Sequence, residues 1–276
     1  MTLPSARTPE GQAGLDAILA SPGRALIASD FDGTLSPIVP DPADARACPG
    51  AAEALGRLGT AVGTVAIITG RPAAEAVALG GFAEVPGLIV LGHYGAERWQ
   101  EGRVTAKPVP EGVDTARRLL PGVLESAGAP DGTRIEDKGT ALAVHTRRAA
   151  DPAGTLAALR DPLSDLSERT GLTLEPGRFV LELRPAAIDK GSALRRLAAE
   201  RESRSVLFCG DDLGDLSAFA EIGAQRTAGT VAGCTVASAS PEVPEVARAA
   251  DLVVDGPAGV VALLAALADS LGVARY

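Results

Sequence analysis

Residues 24–35 read Arg24-Ala25-Leu26-Ile27-Ala28-Ser29-Asp30-Phe31-Asp32-Gly33-Thr34-Leu35. The apolar run 26–28 is too short for a helix and lies between turn-forming residues, which predicts a buried strand. Side chains two positions apart on a strand share one face, so Asp30 and Asp32 can reach the same space. Gly33 allows the chain to turn away sharply. Open α/β sheets bind ligands at this end of their strands, although an isolated pair of aspartates more often only closes a strand.

The composition excludes several classes of protein. With 276 residues the chain is long enough for one large domain or two modest ones. Aromatic residues make up only 3%, so the core must consist of Ala, Val and Leu. The excess of 35 acidic over 26 basic residues argues against a nucleic-acid-binding protein. Cys48, Cys209 and Cys234 are widely spaced and odd in number, which indicates neither a disulfide framework nor a zinc site.

Targeting and membrane signals are not apparent in the sequence. Residues 1–21 contain no positive segment leading into an apolar one, and the most apolar run, residues 260–268, is too short to cross a bilayer. We therefore expect a soluble, cytoplasmic, monomeric protein that contacts neither membranes nor nucleic acids.

Both ends of the chain alternate short apolar strands with helices. Further strands are predicted at residues 64–69, 88–91, 206–209 and 252–254, and helices at 12–20, 51–58 and 73–79. Such strand–helix–strand alternation predicts a parallel sheet with right-handed crossovers.

The middle of the chain follows a different pattern. Two helices, at 112–127 and 155–170, are each followed by a pair of extended segments separated by a few turn-forming residues. The second pair is expected to turn at Pro176-Gly177. We therefore predict an α/β core formed by residues 1–106 and 184–276, with an inserted α+β cap formed by residues 107–183.

A second acidic motif follows the strand predicted at 206–209. Asp211, Asp212 and Asp215 stand just after Gly210, again at the carboxyl end of a strand. Carboxylates in a chain with two histidines suit Mg²⁺, which prefers oxygen ligands. Taken alone, this motif would more often cap the N-terminus of a helix.

Two further segments could bind a phosphate group. Thr69-Gly70-Arg71 ends one strand and begins a helix, where a hydroxyl, backbone N–H groups and the helix dipole favour an anion. A simple turn with a helix cap is an equally good interpretation. Lys190 begins another helix, where the dipole opposes its charge, so an anionic partner is expected nearby. The commonest fate of a lysine is nevertheless a solvated surface position.

Together, in this order, the four segments resemble the motifs of the haloacid-dehalogenase-like phosphohydrolases. The matching residues are Asp30-Phe31-Asp32-Gly33-Thr34-Leu35, Thr69, Lys190 and Gly210-Asp211-Asp212-x-x-Asp215. Within that superfamily the chain resembles the trehalose-6-phosphate phosphatases over roughly residues 24–265. That resemblance is carried by Ser36-Pro37-Ile38, Ile68-Thr69-Gly70-Arg71, Gly92-His93-Tyr94-Gly95-Ala96-Glu97, Ile135-Glu136-Asp137-Lys138, Ala143-Val144-His145-Thr146-Arg147, Leu181-Glu182-Leu183-Arg184-Pro185 and Asp189-Lys190-Gly191.

The resemblance implies Mg²⁺-dependent hydrolysis of trehalose 6-phosphate to trehalose and phosphate. Asp30 would be the nucleophile that forms an aspartyl-phosphate, and Asp32 would act as general acid and base. The implied phosphate-binding residues are Thr69, Gly70, Arg71 and Lys190. The implied metal site comprises Asp30, the backbone carbonyl of Asp32, and Asp211, with Asp215 orienting metal-bound water or Lys190.

The resemblance also implies that the cap contacts the sugar. The residues concerned are Glu136, Lys138, His145, Arg147, Glu182 and Arg184. Glu136 and Lys138 are two apart on a predicted strand and therefore share a face. Without the resemblance, a solvated hairpin face would be the preferred interpretation of these two, and His145 could equally pack within its strand.

Two segments depart from the usual pattern of this family. Gly214-Asp215-Leu216-Ser217 stands where many members have Thr-Asp-Glu-Asp, and His145-Thr146-Arg147 replaces His-Tyr-Arg. The first lies beside the expected metal site and the second beside the expected sugar site.

Three other functions share part of this pattern. Another capped sugar phosphatase, acting on sucrose phosphate or glucosylglycerol phosphate, would share the same core motifs. A signalling receiver domain also combines acidic residues with Thr and Lys, but its order of motifs differs and it lacks an insertion. A non-catalytic sugar-phosphate-binding module would not need Asp30, Asp32, Lys190 and Asp211 together.

Overall fold

The computed structural model describes residues 3–106, 108–177, 179–185, 188–240 and 243–274. The chain forms two compact units, one comprising Met1–Ala106 and Asp189–Tyr276, the other Lys107–Ile188. The boundary predicted between residues 183 and 184 is wrong by five residues, because the last strand of the inserted unit runs through both of them.

The helices and strands follow one another along both units. The strands are β1 (Ala25–Ser29), β2 (Thr64–Ile68), β3 (Ile89–Gly92), β4 (Glu97–Gln100), β5 (Arg103–Ala106), β6 (Arg134–Asp137), β7 (Leu142–His145), β8 (Thr173–Gly177), β9 (Val180–Arg184), β10 (Ser205–Gly210), β11 (Ala232–Ser238) and β12 (Leu252–Val254). The helices are α1 (Pro9–Ala20), α2 (Ala51–Gly59), α3 (Ala73–Gly80), α4 (Glu111–Ser126), α5 (Pro152–Thr170), α6 (Lys190–Glu200), α7 (Leu216–Thr227), α8 (Pro244–Ala249) and α9 (Gly256–Ser270). Among the described residues, no helix has the length and apolar character needed to span a bilayer.

The first unit is built on a mixed sheet with the order β12-β11-β10-β1-β2-β3-β4-β5. The six strands from β12 to β3 are parallel, and β4 and β5 extend the sheet as an antiparallel hairpin. Every residue of β1 is buried, because apolar clusters cover both faces of the sheet. Ile27 packs towards α1, α2 and α9, while Leu26 and Ala28 pack towards α6 and α7. The predicted parallel α/β core is confirmed.

The order of the strands determines which side chains meet. In the parallel register Ser29 of β1 lies opposite Cys209 of β10, and the ladder continues with Asp30 N–H donating to the Cys209 carbonyl at 2.9 Å. Asp30 and Asp211 therefore leave neighbouring strands at the same edge of the sheet. Thr69 leaves β2 on the other side of β1 at that edge.

The inserted unit contains an antiparallel sheet with the order β6-β7-β9-β8, one face of which packs against α4 and α5. The expected turn at Pro176-Gly177 is wrong, because both residues belong to β8 and pair with Leu181 and Val180 of β9. Proline is tolerated there because β8 is an edge strand, whose outward N–H groups need no partner in the sheet.

Candidate active site

The centre of the site is the carboxylate of Asp30 at the end of β1. Asp30 is only 4% exposed. The ammonium of Lys190 lies 3.0 Å from Asp30 Oδ2 and provides the positive charge that a buried carboxylate requires. The predicted nucleophile and the predicted phosphate-binding lysine are therefore brought into direct contact by the fold.

Lys190 is held at the first position of α6, a place where the helix dipole disfavours a cation. Asp189 caps this helix by accepting the N–H of Ser192 at 2.6 Å, and the Ser192 hydroxyl in turn accepts the N–H of Asp189. The Lys190 ammonium donates to Asp215 Oδ1 at 2.7 Å as well as approaching Asp30. Burial by itself would lower the pKa of Lys190, but these carboxylates and Asp212 outweigh it and hold the pKa well above its usual range.

Asp215 is fully buried and uses both carboxylate oxygens within the protein. Oδ1 accepts from Lys190, and Oδ2 accepts the backbone N–H groups of Asp211 and Asp212 at 3.0 and 3.1 Å. The Asp215 side chain therefore fixes both the backbone of Asp211 and Asp212 and the ammonium of Lys190.

Asp211 is oriented by a residue that the sequence analysis did not single out as functional. The Thr34 hydroxyl donates to Asp211 Oδ1 at 2.9 Å. Gly33 makes this contact possible, because its φ is +79° and a Cβ there would lie 2.0 Å from Asp211 Oδ2. Gly33 and Thr34, which follow Asp32 in the chain, therefore position the carboxylate of Asp211.

A second residue missed from the sequence supports the same turn. Ser238, at the end of β11, is buried and donates its hydroxyl to the Gly33 carbonyl at 2.7 Å. The signal that could have found it is the one that found Asp30 and Asp211, namely a polar side chain at the carboxyl end of a parallel strand.

The acidic cluster is chemically suited to a divalent cation. One carboxylate oxygen from each of Asp30, Asp211 and Asp215 lies within 4.8 Å of the others. Burial raises the pKa of Asp30 to about 7, with Lys190 opposing the rise and Asp212 and Asp211 adding to it. Burial and the neighbouring carboxylates likewise raise the pKa of Asp211 to about 7. A cation held by hard oxygen ligands would relieve this repulsion, so the donor set fits such an ion.

Asp32 and Arg71 form an ion pair beside the cluster. Arg71 donates from Nε and Nη2 to the two carboxylate oxygens of Asp32, each at 2.7 Å, and from Nη1 to Glu75 at 2.5 Å. The hydrogen bond and charge of Asp32 raise the pKa of Arg71. Arg71, expected to bind phosphate, has its guanidinium engaged by these two carboxylates.

The Thr69-Gly70-Arg71 segment is held by a strained turn after β3. Thr69 Oγ1 accepts the N–H of Arg71 at 3.1 Å. His93 and Tyr94 both have φ near +50°, which is unusual for residues other than glycine, and their N–H groups donate to the Arg71 and Thr69 carbonyls. Gly70 leaves room for the Tyr94 hydroxyl, since a Cβ at Gly70 would lie 2.7 Å from it.

In the inserted unit, most of the predicted sugar-binding residues lie at the sheet face opposite the helices. The register aligns Glu136 with Ala143 and Ala143 with Glu182, so the two glutamates share this polar face. Lys138 donates to Glu182 Oε2 at 2.5 Å. The other oxygen, Glu182 Oε1, is buried and has no hydrogen-bond partner among the described residues.

The remaining sugar-binding candidates are distributed less uniformly. His145 Nε2 lies 2.7 Å from Glu136 Oε2, and Arg184 lies 3.4 Å from Glu175 on the same face. Arg147 is exposed beyond the end of β7, outside the paired part of the sheet. The structure thus places Glu136, His145, Glu182 and Arg184 on the sheet, brings Lys138 to it through Glu182, and leaves Arg147 outside it.

Comparison with solved structures identifies the fold as that of the haloacid-dehalogenase-like hydrolases. Such a hydrolase from Bacteroides thetaiotaomicron matches with a TM-score of 0.60 and 20% identity, covering 87% of this chain and 98% of that one. A trehalose-6-phosphate phosphatase from Aspergillus fumigatus matches with a TM-score of 0.72 and 23% identity, covering 97% of this chain and 100% of that one.

The sequence comparison is more specific. The trehalose-phosphatase family model matches residues 28–258, and the chain therefore belongs to the trehalose-phosphatase family. The trehalose-phosphate phosphatase of Mycobacterium marinum is 34% identical over 213 residues, covering 72% of this chain and 52% of the relative. That of Mycobacterium avium is 34% identical over 255 residues, covering 88% and 61%. The chain thus spans about half the length of these curated relatives.

Proposed function

We propose that the protein is a Mg²⁺-dependent phosphatase that hydrolyses trehalose 6-phosphate to trehalose and phosphate. The observation that carries this proposal is the buried contact between Asp30 and Lys190 beside Asp211, inside the segment matched by the trehalose-phosphatase family model. A carboxylate, an ammonium and a set of hard oxygen ligands at one sheet edge are the groups that phosphoryl transfer through an aspartyl-phosphate requires.

In the first step, Asp30 attacks phosphorus and the bond between phosphorus and the sugar oxygen breaks. Lys190 balances negative charge on the nucleophile and the phosphoryl group, which would otherwise repel each other. Thr69 Oγ1 accepts the Arg71 N–H and can donate its own proton to a phosphoryl oxygen. Asp30, the Asp32 carbonyl and Asp211 would hold a Mg²⁺ ion, whose charge further offsets that repulsion.

Asp32 moves the protons. It protonates the sugar oxygen as that group leaves, and in the second step it takes a proton from the water that attacks phosphorus and breaks the bond to Asp30. Both carboxylate oxygens of Asp32 accept hydrogen bonds from Arg71 in this structure. Donation in the first step therefore requires Asp32 to loosen at least one of its two bonds to Arg71.

The polar face of the inserted unit is proposed to recognise the sugar. A buried carboxylate oxygen without a partner is costly, and Glu182 Oε1 has none among the residues that the structure describes. A sugar hydroxyl would satisfy it, while Lys138 and Glu136 supply further charged hydrogen-bonding groups on the same face. A site of this kind favours a substrate with many hydroxyls over a simple phosphate ester.

The test measures phosphate release from trehalose 6-phosphate, sucrose phosphate and glucosylglycerol phosphate, with Mg²⁺ and with the metal chelated. We expect kcat/KM for trehalose 6-phosphate to exceed the others by at least about tenfold, and turnover to depend on Mg²⁺. The Asp30→Asn variant, which keeps the shape of the side chain and lacks the nucleophile, gives the background rate of phosphate release. Preference for another sugar would reassign the substrate. Binding without hydrolysis would indicate a sugar-phosphate-binding module.

A further inference from the structure

Arg117, on the side of α4 that faces the sheet, holds the turn between β6 and β7. Its Nε donates to Asp137 Oδ2 at 2.6 Å, and its Nη2 donates to Asp137 Oδ1 at 3.1 Å and to the Gly139 carbonyl at 2.7 Å. Nη1 contacts Asp114, one helical turn earlier on α4, which orients the guanidinium. Arg117 therefore binds both neighbours of Lys138 in the chain, Asp137 and Gly139.

The turn itself is closed by Asp137. Its Oδ1 accepts the Gly139 N–H at 2.8 Å, and the Lys138 N–H donates to the Ala141 carbonyl at 3.0 Å. Gly139 has a φ of +78°, a conformation that glycine adopts readily and other residues rarely do. The backbone on both sides of Lys138 is therefore held by hydrogen bonds to Asp137 and Gly139.

The alternation of the strand explains why this grip leaves the polar face free. Side chains of consecutive residues on a strand point to opposite faces. Asp137 points towards α4, whereas Glu136 points to the polar face, and the Lys138 ammonium reaches Glu182 there. The same turn therefore carries Asp137, which binds Arg117 on the helix side of the sheet, and Lys138, whose ammonium lies on the polar face.

We propose that Arg117 is a positioning residue for sugar selectivity, acting through Lys138 without touching the substrate. The proposal rests on the proposed function, because it assumes that Lys138 contacts the sugar. Arginine is suited to this task because its planar fork can bind a carboxylate with two N–H groups and a carbonyl with a third contact. The bond and charge of Asp137 raise the pKa of Arg117, consistent with a persistent ion pair at this position.

The kinetic test uses a selectivity ratio, kcat/KM for trehalose 6-phosphate divided by kcat/KM for a small aryl phosphate. The aryl ester requires only the catalytic groups of the first unit, so the ratio isolates recognition of the sugar. We expect Lys138→Ala to lower the ratio about a hundredfold and Arg117→Ala about tenfold. Arg118→Ala is the matched control, because Arg118 is the next residue on α4 and donates to Thr115 instead. It should leave the ratio unchanged.

A double-mutant cycle then asks whether Arg117 acts through Lys138. If it does, Arg117→Ala combined with Lys138→Ala should match Lys138→Ala alone within about twofold. Multiplied effects, about a thousandfold in total, would overturn the proposal. If the selectivity ratio is unchanged in Arg117→Ala but lowered in Lys138→Ala, only the positioning role of Arg117 is refuted. If the ratio is unchanged in Lys138→Ala, Lys138 does not contact the sugar as the proposed function requires, and the positioning role of Arg117 is refuted as well.

Amide hydrogen exchange gives a readout that does not involve the substrate. Arg117→Ala should speed exchange of the Lys138 amide at least about tenfold. In the parent protein the turn can open only by breaking the Arg117 contacts, and without them the free energy of opening is lower. Exchange in the middle of α5 should not change, and Arg118→Ala should leave both regions as they are. Unchanged exchange at Lys138 in Arg117→Ala would show that the turn needs no clamp and would overturn the proposal.

Discussion

Asp211 and Asp215 belong to the same acidic motif, yet their carboxylates are engaged differently. Both oxygens of Asp215 are occupied by Lys190 and by two backbone N–H groups. Within the described part of the chain, the Asp211 side chain accepts a hydrogen bond from Thr34 through Oδ1, and it stands beside Asp30 at the sheet edge. We therefore infer that Asp211 binds the cation and that Asp215 supports the loop and the lysine.

This difference predicts separate effects of two isosteric substitutions. Asp211→Asn should weaken Mg²⁺ binding at least about tenfold, because it removes a charged ligand. Asp215→Asn should change Mg²⁺ affinity less than about threefold while lowering turnover strongly, since Lys190 loses its closest carboxylate. Isothermal titration calorimetry with Mg²⁺ measures the first effect and phosphate release the second. Equal loss of Mg²⁺ affinity in both variants would show that Asp215 is itself a ligand.

At the scale of an element, the N-terminus of α6 combines a structural and a chemical task. The reciprocal cap formed by Asp189 and Ser192 satisfies the first N–H groups of the helix, and the capped turn contains Lys190. Any change in that cap should move the ammonium relative to Asp30, from which it is 3.0 Å away.

The chain provides a matched pair of caps with which to test this. Asp189 caps α6, and Asp151 caps α5 by accepting the Gly154 N–H at 2.9 Å, with no proposed catalytic residue in that first turn. Asp189→Ala and Asp151→Ala should each lower the free energy of unfolding by about 1 kcal/mol. Only Asp189→Ala should also lower kcat for a small aryl phosphate, by roughly tenfold. Chemical denaturation and aryl phosphate kinetics measure the two effects, and equal kinetics in both variants would contradict the coupling.

At the scale of the whole molecule, Asp251 connects distant parts of the chain within the first unit. It is 5% exposed and accepts from Thr8 before α1 at 2.5 Å, from the Thr235 N–H on β11 at 2.8 Å, and from Arg226 on α7. Burial alone would raise the pKa of Asp251, but the hydrogen bonds from Arg226, Thr8 and Thr235 outweigh it and hold the pKa below its usual value.

The lowered pKa determines how stability should depend on pH. Because the folded pKa lies below the unfolded value of about 3.9, the carboxylate stabilises the fold fully above that value and loses this contribution as pH falls through the folded pKa. Asp251→Asn should therefore cost about 3 kcal/mol at pH 7, and the difference from the parent protein should shrink below about pH 4. Urea unfolding at several pH values measures this. Asp16→Asn, at an exposed position of α1, is the control. A difference independent of pH would show that charge at Asp251 is not responsible.

The sequence alone predicted the parallel core, the antiparallel insertion and the placement of Asp30, Thr69, Lys190 and Asp211 at the ends of core elements. These predictions succeeded because strand alternation, helix starts and turns are set by interactions among residues close in the chain. The family resemblance rests on the same local motifs, and the family model confirms it over residues 28–258.

Only the tertiary structure decided which partners those residues have. The pairing of Arg71 with Asp32, the use of both Asp215 oxygens inside the protein, and the grip of Arg117 on Asp137 all join residues from different elements. Such partnerships depend on strand order, on register and on which helix packs against which face. Those are set by burying apolar surface over the whole unit, so no local pattern contains them.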